Sequence, residues 1–426
     1  MNPTRRCGPA KGEHMSVART VAAVLAGVVM LAGCGDDRPP GDAGAIDADL
    51  VADLGNDDAR AVGESVNQFG FDLLGELGEG DENVVTSPVS VSVLLAMVLA
   101  GAGGDTAEQM SEVLHLDEPR DVRVGALLGR LADTDDVVLS VANALWARQG
   151  TEFEDDYLSF VEDTFGATVE EADLSAGEIV DEIDGWAADR TEGKIDEIAE
   201  DLGLPSGNAV LVLLNAVYFL GEWTTPFDPD DTRDEPFTML DGSADDVPTM
   251  HLRQEDFDYV ERDGYEMLRL PYGEDERYGM EILLPDESSD VTELTTRLDA
   301  REWADAVDSL SSATVQELAL PSFELEWGMS LDDPLRHLGM DSAFDGSADF
   351  RPMSPVNPFL DTVVHKTYIK VDEEGTEAAA VTGGVMAESA PTDALEFRVD
   401  RPFIFTISDQ ETGTILFLGT VTDPSA

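Results

Sequence analysis

Apolar residues along this chain come in two arrangements, dense runs and spaced stripes, and the two predict different elements. From Ala209 to Trp223 the chain reads AVLVLLNAVYFLGEW, with Asn215 a lone polar residue near the middle of the run. Such density predicts a long strand covered on both faces. Val137 to Trp146, VVLSVANALW, predicts a second buried central strand. Asp361 to Val371, DTVVHKTYIKV, has the period of a strand that places Val363, His365, Thr367 and Ile369 on one face. Between Phe237 and Pro285, VPTMHL, YEMLRLPYG and YGMEILLP alternate with turns as in a meander, and the chain closes with FIFTISD and TILFLGTV around a tight turn at Gln410 to Gly413.

Spaced stripes predict the helices. In ESVNQFGFDLLGELG, the residues Val66, Phe69, Phe71, Leu73 and Leu74 predict a first helix against the core. Pro88 suits the first turn of a helix too apolar for a surface position, and Gly101 to Asp105 break it before a second, capped one. Ile183 to Ile195 reads as a helix closing at Gly193, and two short helical patterns follow Pro285. These elements predict an α+β arrangement over residues 61–426, a length that can build one large or two medium domains.

The N-terminal segment follows a different pattern. Arg19 precedes TVAAVLAGVVMLAG, an apolar run of about 14 residues, too short for a comfortable membrane span and suited to a signal peptide over residues 1–33, with Met15 read as the true start. The run ends in Leu31-Ala32-Gly33-Cys34, which resembles a bacterial lipobox and implies lipidation of Cys34. Residues 34–60 are rich in Asp, Gly, Ala and Pro and are expected to form a flexible acidic tether. The expected product is exported and anchored by lipid to the cell envelope.

Charge and chemistry remove several function classes. With 90 acidic and 25 basic residues the formal net charge is −65, which argues against nucleic acid or an anionic membrane surface as an electrostatic partner. Both cysteines, Cys7 and Cys34, precede the folded region, so the fold is not expected to need a disulfide. None of the five histidines stands at metal-ligand spacing, and no nucleotide-binding, nucleophile-elbow or complete calcium-loop motif occurs. No metal, cofactor or enzymatic activity is expected.

The stretch from Val371 to Phe403, VDEEGTEAAAVTGGVMAESAPTDALEFRVDRPF, departs from ordinary core logic. Thr376, Ala378, Ala380, Thr382, Gly384 and Met386 would share one uncharged strand face, and Glu377, Ala379, Val381 and Val385 the other. No Pro occurs from Val371 to Ala390, so every backbone N–H there is free to join a sheet on either side. EEGTEAAA followed by FRVDRPF resembles the hinge and distal flank of the reactive-centre loop of serpins, and the likeness runs from about Phe69 to Pro424.

That resemblance implies the serpin fold, with three β-sheets, eight or nine helices and an exposed loop at one pole. Glu373, Glu374, Gly375, Thr376, Glu377, Ala378, Ala379 and Ala380 correspond to the hinge, with Gly375 as pivot and Thr376 as the first side chain that must turn inward. As part of an exposed loop, Thr376 is expected to contribute little to the uncut fold. Ser87, Ser90, Asn215 and His365 correspond to the shutter, a buried polar cluster beneath the point where two central strands part, and Trp223 to the breach where the loop enters. Arg120, Arg123 and Arg130 lie where some serpins bind heparin, but among so many acids they read as a solvated helix face.

The resemblance further implies a one-use inhibitor of serine proteases and a monomer. A protease acylated by the loop is trapped when the hinge inserts as a new strand. About 15 residues at ~3.3 Å each span ~50 Å, enough to carry the protease from one pole toward the other. Family spacing puts the scissile bond at Ser389-Ala390, with Glu388-Ser389 and Met386-Ala387 as alternatives. No Arg or Lys lies between Lys370 and Arg398, which favours elastase-like or subtilisin-like targets over trypsin-like ones. Gly383 and Gly384 weaken strand formation, and the alternative reading is a non-inhibitory serpin acting as a cell-surface binding or structural lipoprotein.

Overall fold

The computed structural model describes residues 46–78, 82–134, 137–286, 289–376 and 395–425. The signal segment, Cys34, the hinge beyond Thr376 and all three candidate scissile bonds lie outside the described residues.

Ten α-helices occur among them: α1 (Ala48–Asp53), α2 (Asn56–Leu77), α3 (Pro88–Leu99), α4 (Gly104–Val113), α5 (Val122–Ala132), α6 (Asp155–Phe165), α7 (Glu178–Arg190), α8 (Val291–Arg297), α9 (Ala300–Ser309) and α10 (Asp332–Leu338). Helix α1 corrects the expected tether, which gives way to ordered structure from Ile46. Ile46 and Leu54 pack against the core, and Asp47 caps α1 while its own N–H reaches the Asp163 carbonyl at 3.2 Å. Gly129 of α5 makes room, since a Cβ there would meet the Val51 side chain. Helix α7 also departs from expectation, starting at Glu178 and ending at Arg190, where the Thr191 hydroxyl donates to the Ala187 carbonyl.

The strands form three sheets. The first is six-stranded, in the order β11 (Phe323–Ser330), β12 (Val364–Val371), β13 (Gly375–Thr376), β4 (Leu211–Glu222), β2 (Val138–Arg148) and β3 (Thr168–Ala172). The second runs β1 (Val84–Thr86), β16 (Thr414–Val421), β15 (Phe403–Asp409), β9 (Tyr278–Pro285), β8 (Tyr265–Tyr272) and β7 (Glu255–Arg262). The third comprises β5 (Arg233–Thr238), β6 (Ala244–Leu252) and the distal half of β10 (Ser311–Pro321), with β14 (Leu395–Arg398) parallel to β10 at its edge. Strand β10 joins the last two sheets, because Ser311–Val315 pair with β7 and Leu318–Pro321 with β6.

All 12 residues of helix α3 are buried. Its start is dictated locally: Ser87 caps it by accepting the Ser90 N–H at 3.3 Å, and Pro88 occupies the first turn where no N–H is needed. This places Ser87 and Ser90 beneath the six-stranded sheet, against the middle of β4 and the start of β12.

Candidate functional site

The six-stranded sheet contains an unusual join. Strand β4 pairs with β2 along ten positions and β12 pairs with β11 along eight. Among the described residues, only Gly375 and Thr376 of β13 pair with the edges that β4 and β12 turn toward each other. Thr376 stands opposite Gly221 on one side and Val371 on the other, and Gly375 opposite Glu222.

A dense set of contacts holds this two-residue wedge. Thr376 is 2% exposed, and its hydroxyl lies 2.6 Å from that of Tyr272. Burial raises the pKa of the Tyr272 hydroxyl, which therefore stays protonated. Trp223 stacks on the Tyr272 ring at 4.4 Å between centroids and 14° between planes. Its indole N–H donates to the Asp372 carbonyl at 2.9 Å and its backbone N–H to the Glu374 carbonyl at 2.9 Å. The Phe227 N–H donates to the Glu373 carbonyl at 2.8 Å, and the Thr232 hydroxyl to the Glu373 carboxylate at 2.6 Å. Loss of solvent contact, then the neighbouring Asp372, Glu222 and Glu373 carboxylates, raises the Glu374 carboxyl above its ordinary value.

Two expectations about the hinge change here. Thr376 is already turned inward and hydrogen-bonded, so its contribution to the uncut fold is not small. Gly375 serves less as a pivot than as a point of close approach, because a Cβ at that position would be driven into the backbone of Gly221 and Glu222.

Farther along the same two strands lies a polar cluster. The Ser87 N–H donates to His365 Nε2 at 3.0 Å, and the Ser90 hydroxyl donates to the Asn215 side-chain carbonyl. Asn215 in turn donates to the Asn143 side-chain oxygen at 2.8 Å, and Asn143 to the Phe165 carbonyl at 3.0 Å. Ser87, Ser90, Asn215 and His365 are thus linked by hydrogen bonds, and Asn143 joins them. Burial pushes the His365 pKa down to about 3, so at neutral pH the ring is uncharged and free to accept the Ser87 N–H. The cluster links α3 to both parted strands through directional bonds that can be remade after a movement, which interlocked apolar side chains could not be.

Tyr272, Thr232 and Asn143 were missed in the sequence. Asn143 carries the same mark as Asn215, a polar residue inside an apolar strand. Tyr272 carries none, since its partner is 104 residues away. Arg120, Arg123 and Arg130 each have internal partners: the Ala100 carbonyl at 3.0 Å, the Asp121 carboxylate at 2.6 Å and the Glu411 carboxylate at 3.4 Å.

The seated wedge predicts the behaviour of Thr376→Arg. A guanidinium placed against Tyr272 and Val371 would be buried where the wild type holds an uncharged hydroxyl, at a cost of several kcal/mol. The wedge should leave the slot in the intact variant, and hydrogen exchange at residues 375 and 376 should rise to loop rates while the melting temperature falls. Protection equal to that of the wild type would contradict the seated hinge.

Comparison with known proteins agrees with this geometry. The family profile described as Serpin (serine protease inhibitor) matches residues 64–424. An uncharacterized serpin-like protein of Thermococcus kodakarensis is 38% identical over 376 residues, covering 86% of this chain and 86% of that protein. The leukocyte elastase inhibitor of Sus scrofa is 34% identical over 376 residues, 84% of this chain and 98% of that protein. Among solved structures, the thermophilic serpin tengpin in its native state superposes with a TM-score of 0.77 at 29% identity, over 85% of this chain and 94% of that one. A fold of three sheets with a hinge wedged between two central strands, over the span that the profile matches, places this chain in the serpin family.

Proposed function

We propose that this protein inhibits serine proteases as a one-use substrate and traps the acylated protease by inserting the segment after Thr376 between β4 and β12. The observation that carries this reading is the pair of facing strand edges joined, among the described residues, only through Gly375 and Thr376. Backbone N–H and C=O groups on such edges require partners, and a strand entering between them gains a ladder on both sides. Pairing that starts at β13 proceeds in register, because Thr376 is already opposite Gly221 and Val371. The small uncharged residues at alternate positions after Thr376 suit that path.

The chemistry belongs to the protease. Its serine attacks a loop carbonyl, forms an ester and releases the new N-terminus downstream. The inhibitor contributes a strand that withdraws the ester from the protease's own water-activating machinery before hydrolysis, so the trap is kinetic. The absence of Arg and Lys between Lys370 and Arg398 favours an elastase-like or subtilisin-like target over a trypsin-like one.

Incubation with elastase should yield a covalent complex that survives denaturing electrophoresis, and trypsin should yield none. Mass spectrometry of the released C-terminal peptide should place its first residue between Ala387 and Thr392. A cut that produces only cleaved protein would favour the non-inhibitory alternative, and an N-terminus outside that window would overturn the assigned register.

We further propose that the lipobox-like Leu31-Ala32-Gly33-Cys34 anchors the protein to the cell envelope through lipid on the Cys34 sulfur. Cys34→Ala should then accumulate as an unprocessed precursor without attached fatty acid. A variant that still carries fatty acid would refute the assignment.

A further inference from the structure

The third sheet holds a concentration of charge that neither the hinge nor the shutter uses. His251 of β6 stands directly across from Ala319 of β10, which stands across from Arg398 of β14. The His251 side chain is completely shielded from solvent, with Nε2 3.4 Å from a Glu235 oxygen and Nδ1 3.3 Å from a Glu317 oxygen. Neither ring nitrogen makes a well-formed hydrogen bond. The same two carboxylates bind arginines from the strands around them. Arg398 of β14 bridges both, contacting Glu235 closely and Glu317 at 3.1 Å. Arg233 of β5 reaches Glu235 at 2.7 Å and Glu317 at 3.5 Å. Arg253, on from His251, lies 3.8 Å from Glu317 and 3.8 Å from Asp231.

With His251 neutral, the charges balance: Arg233, Arg253 and Arg398 face Asp231, Glu235 and Glu317. A proton on the ring adds a fourth cation in a place where water cannot reach it. Burial first, then Arg233, lowers the His251 pKa, outweighing the two glutamates. A lowered folded-state pKa means that the folded state prefers the neutral ring. The stability this contributes is complete above the unfolded value of about 6.5 and is lost as pH falls through the folded value.

Of the two arginines that lie within strands, Arg398 sits on the shorter strand. Strand β14 is four residues long and, among the described residues, pairs with β10 alone. Besides that ladder it is held by the buried Phe397, by the Val399 N–H to the Ala319 carbonyl at 2.9 Å, and by Arg398 on Glu235 and Glu317. We propose that His251 is a proton-operated latch on β14: the neutral ring leaves Glu235 and Glu317 to Arg398, and protonation in acid redistributes those carboxylates and loosens β14 from β10. Strand β14 is where the described chain resumes after residue 376. On the reading given under Proposed function, the distal end of the reactive segment is therefore fixed at neutral pH and freed in acid.

Hydrogen exchange of the intact protein at pH 7.5 and pH 5.0, corrected for intrinsic rates and referenced to β15 and β16, tests the latch without a protease. Exchange across residues 396–399 should rise about tenfold in acid for the wild type and stay level in His251→Gln. A level wild type, or the same rise in the variant, would overturn the proposal. If His251→Gln does not fold, the ring titration of His251 followed by NMR in the wild type decides. Its midpoint should lie below 6.5 and coincide with that of the exchange change, and a higher or separate midpoint would overturn the latch. Because the readout is backbone exchange, failure here leaves the inhibitory reading untouched, and failure to trap a protease leaves the latch standing.

Discussion

The structure depends on one constraint: β4 and β12 are neighbours in a sheet, yet among the described residues their strand pairing runs only through a two-residue strand. Peptide groups inside a sheet cannot stay unpaired without cost, so the two facing edges form a slot with a strong preference for a strand. The head of the slot is rigid. Trp223 and Tyr272 stack as a single block, and the chain before the wedge is tied down at Asp372, Glu373 and Glu374 by backbone and side-chain hydrogen bonds. On the proposed mechanism, insertion begins from a fixed register instead of from a search.

The polar cluster farther along is the counterpart of that rigidity. Ser87, Ser90, Asn143, Asn215 and His365 connect α3 to strands on both sides of the slot by directional bonds. Such a network specifies one arrangement and still permits another, provided each member finds a partner again. His365 meets the condition because burial keeps it neutral, with Nε2 available to accept the Ser87 N–H. An apolar packing of the same residues would give more burial and no second state.

Much of this was legible from residue pattern. Asn215 and His365 stand out as polar residues in apolar strands, and the run AVLVLLNAVYFLGEW becomes β4 within two residues of each end. What could not be read depends on partners distant in sequence. Tyr272 looks like any core aromatic until Thr376 is placed against its hydroxyl. Gly375 reads as a flexible residue until the backbone of Gly221 and Glu222 closes on it. Helix α1 has only six residues, too few for a period to show, and it is held by contact with α5 and the core more than by its own composition. His251 is one polar residue in VPTMHL, and the arginines and glutamates that give it meaning come mostly from three other strands.

The central claim is that the slot between β4 and β12 accepts the segment that follows Thr376. Thermal unfolding of the protein before and after a single cut between residues 377 and 394 tests it most directly. If the freed segment completes the sheet, the cut protein should unfold at a markedly higher temperature than the intact one, since each inserted residue adds ladder bonds along the facing edges of β4 and β12. A cut protein that unfolds at the same temperature or lower would mean that the slot is not a site of insertion.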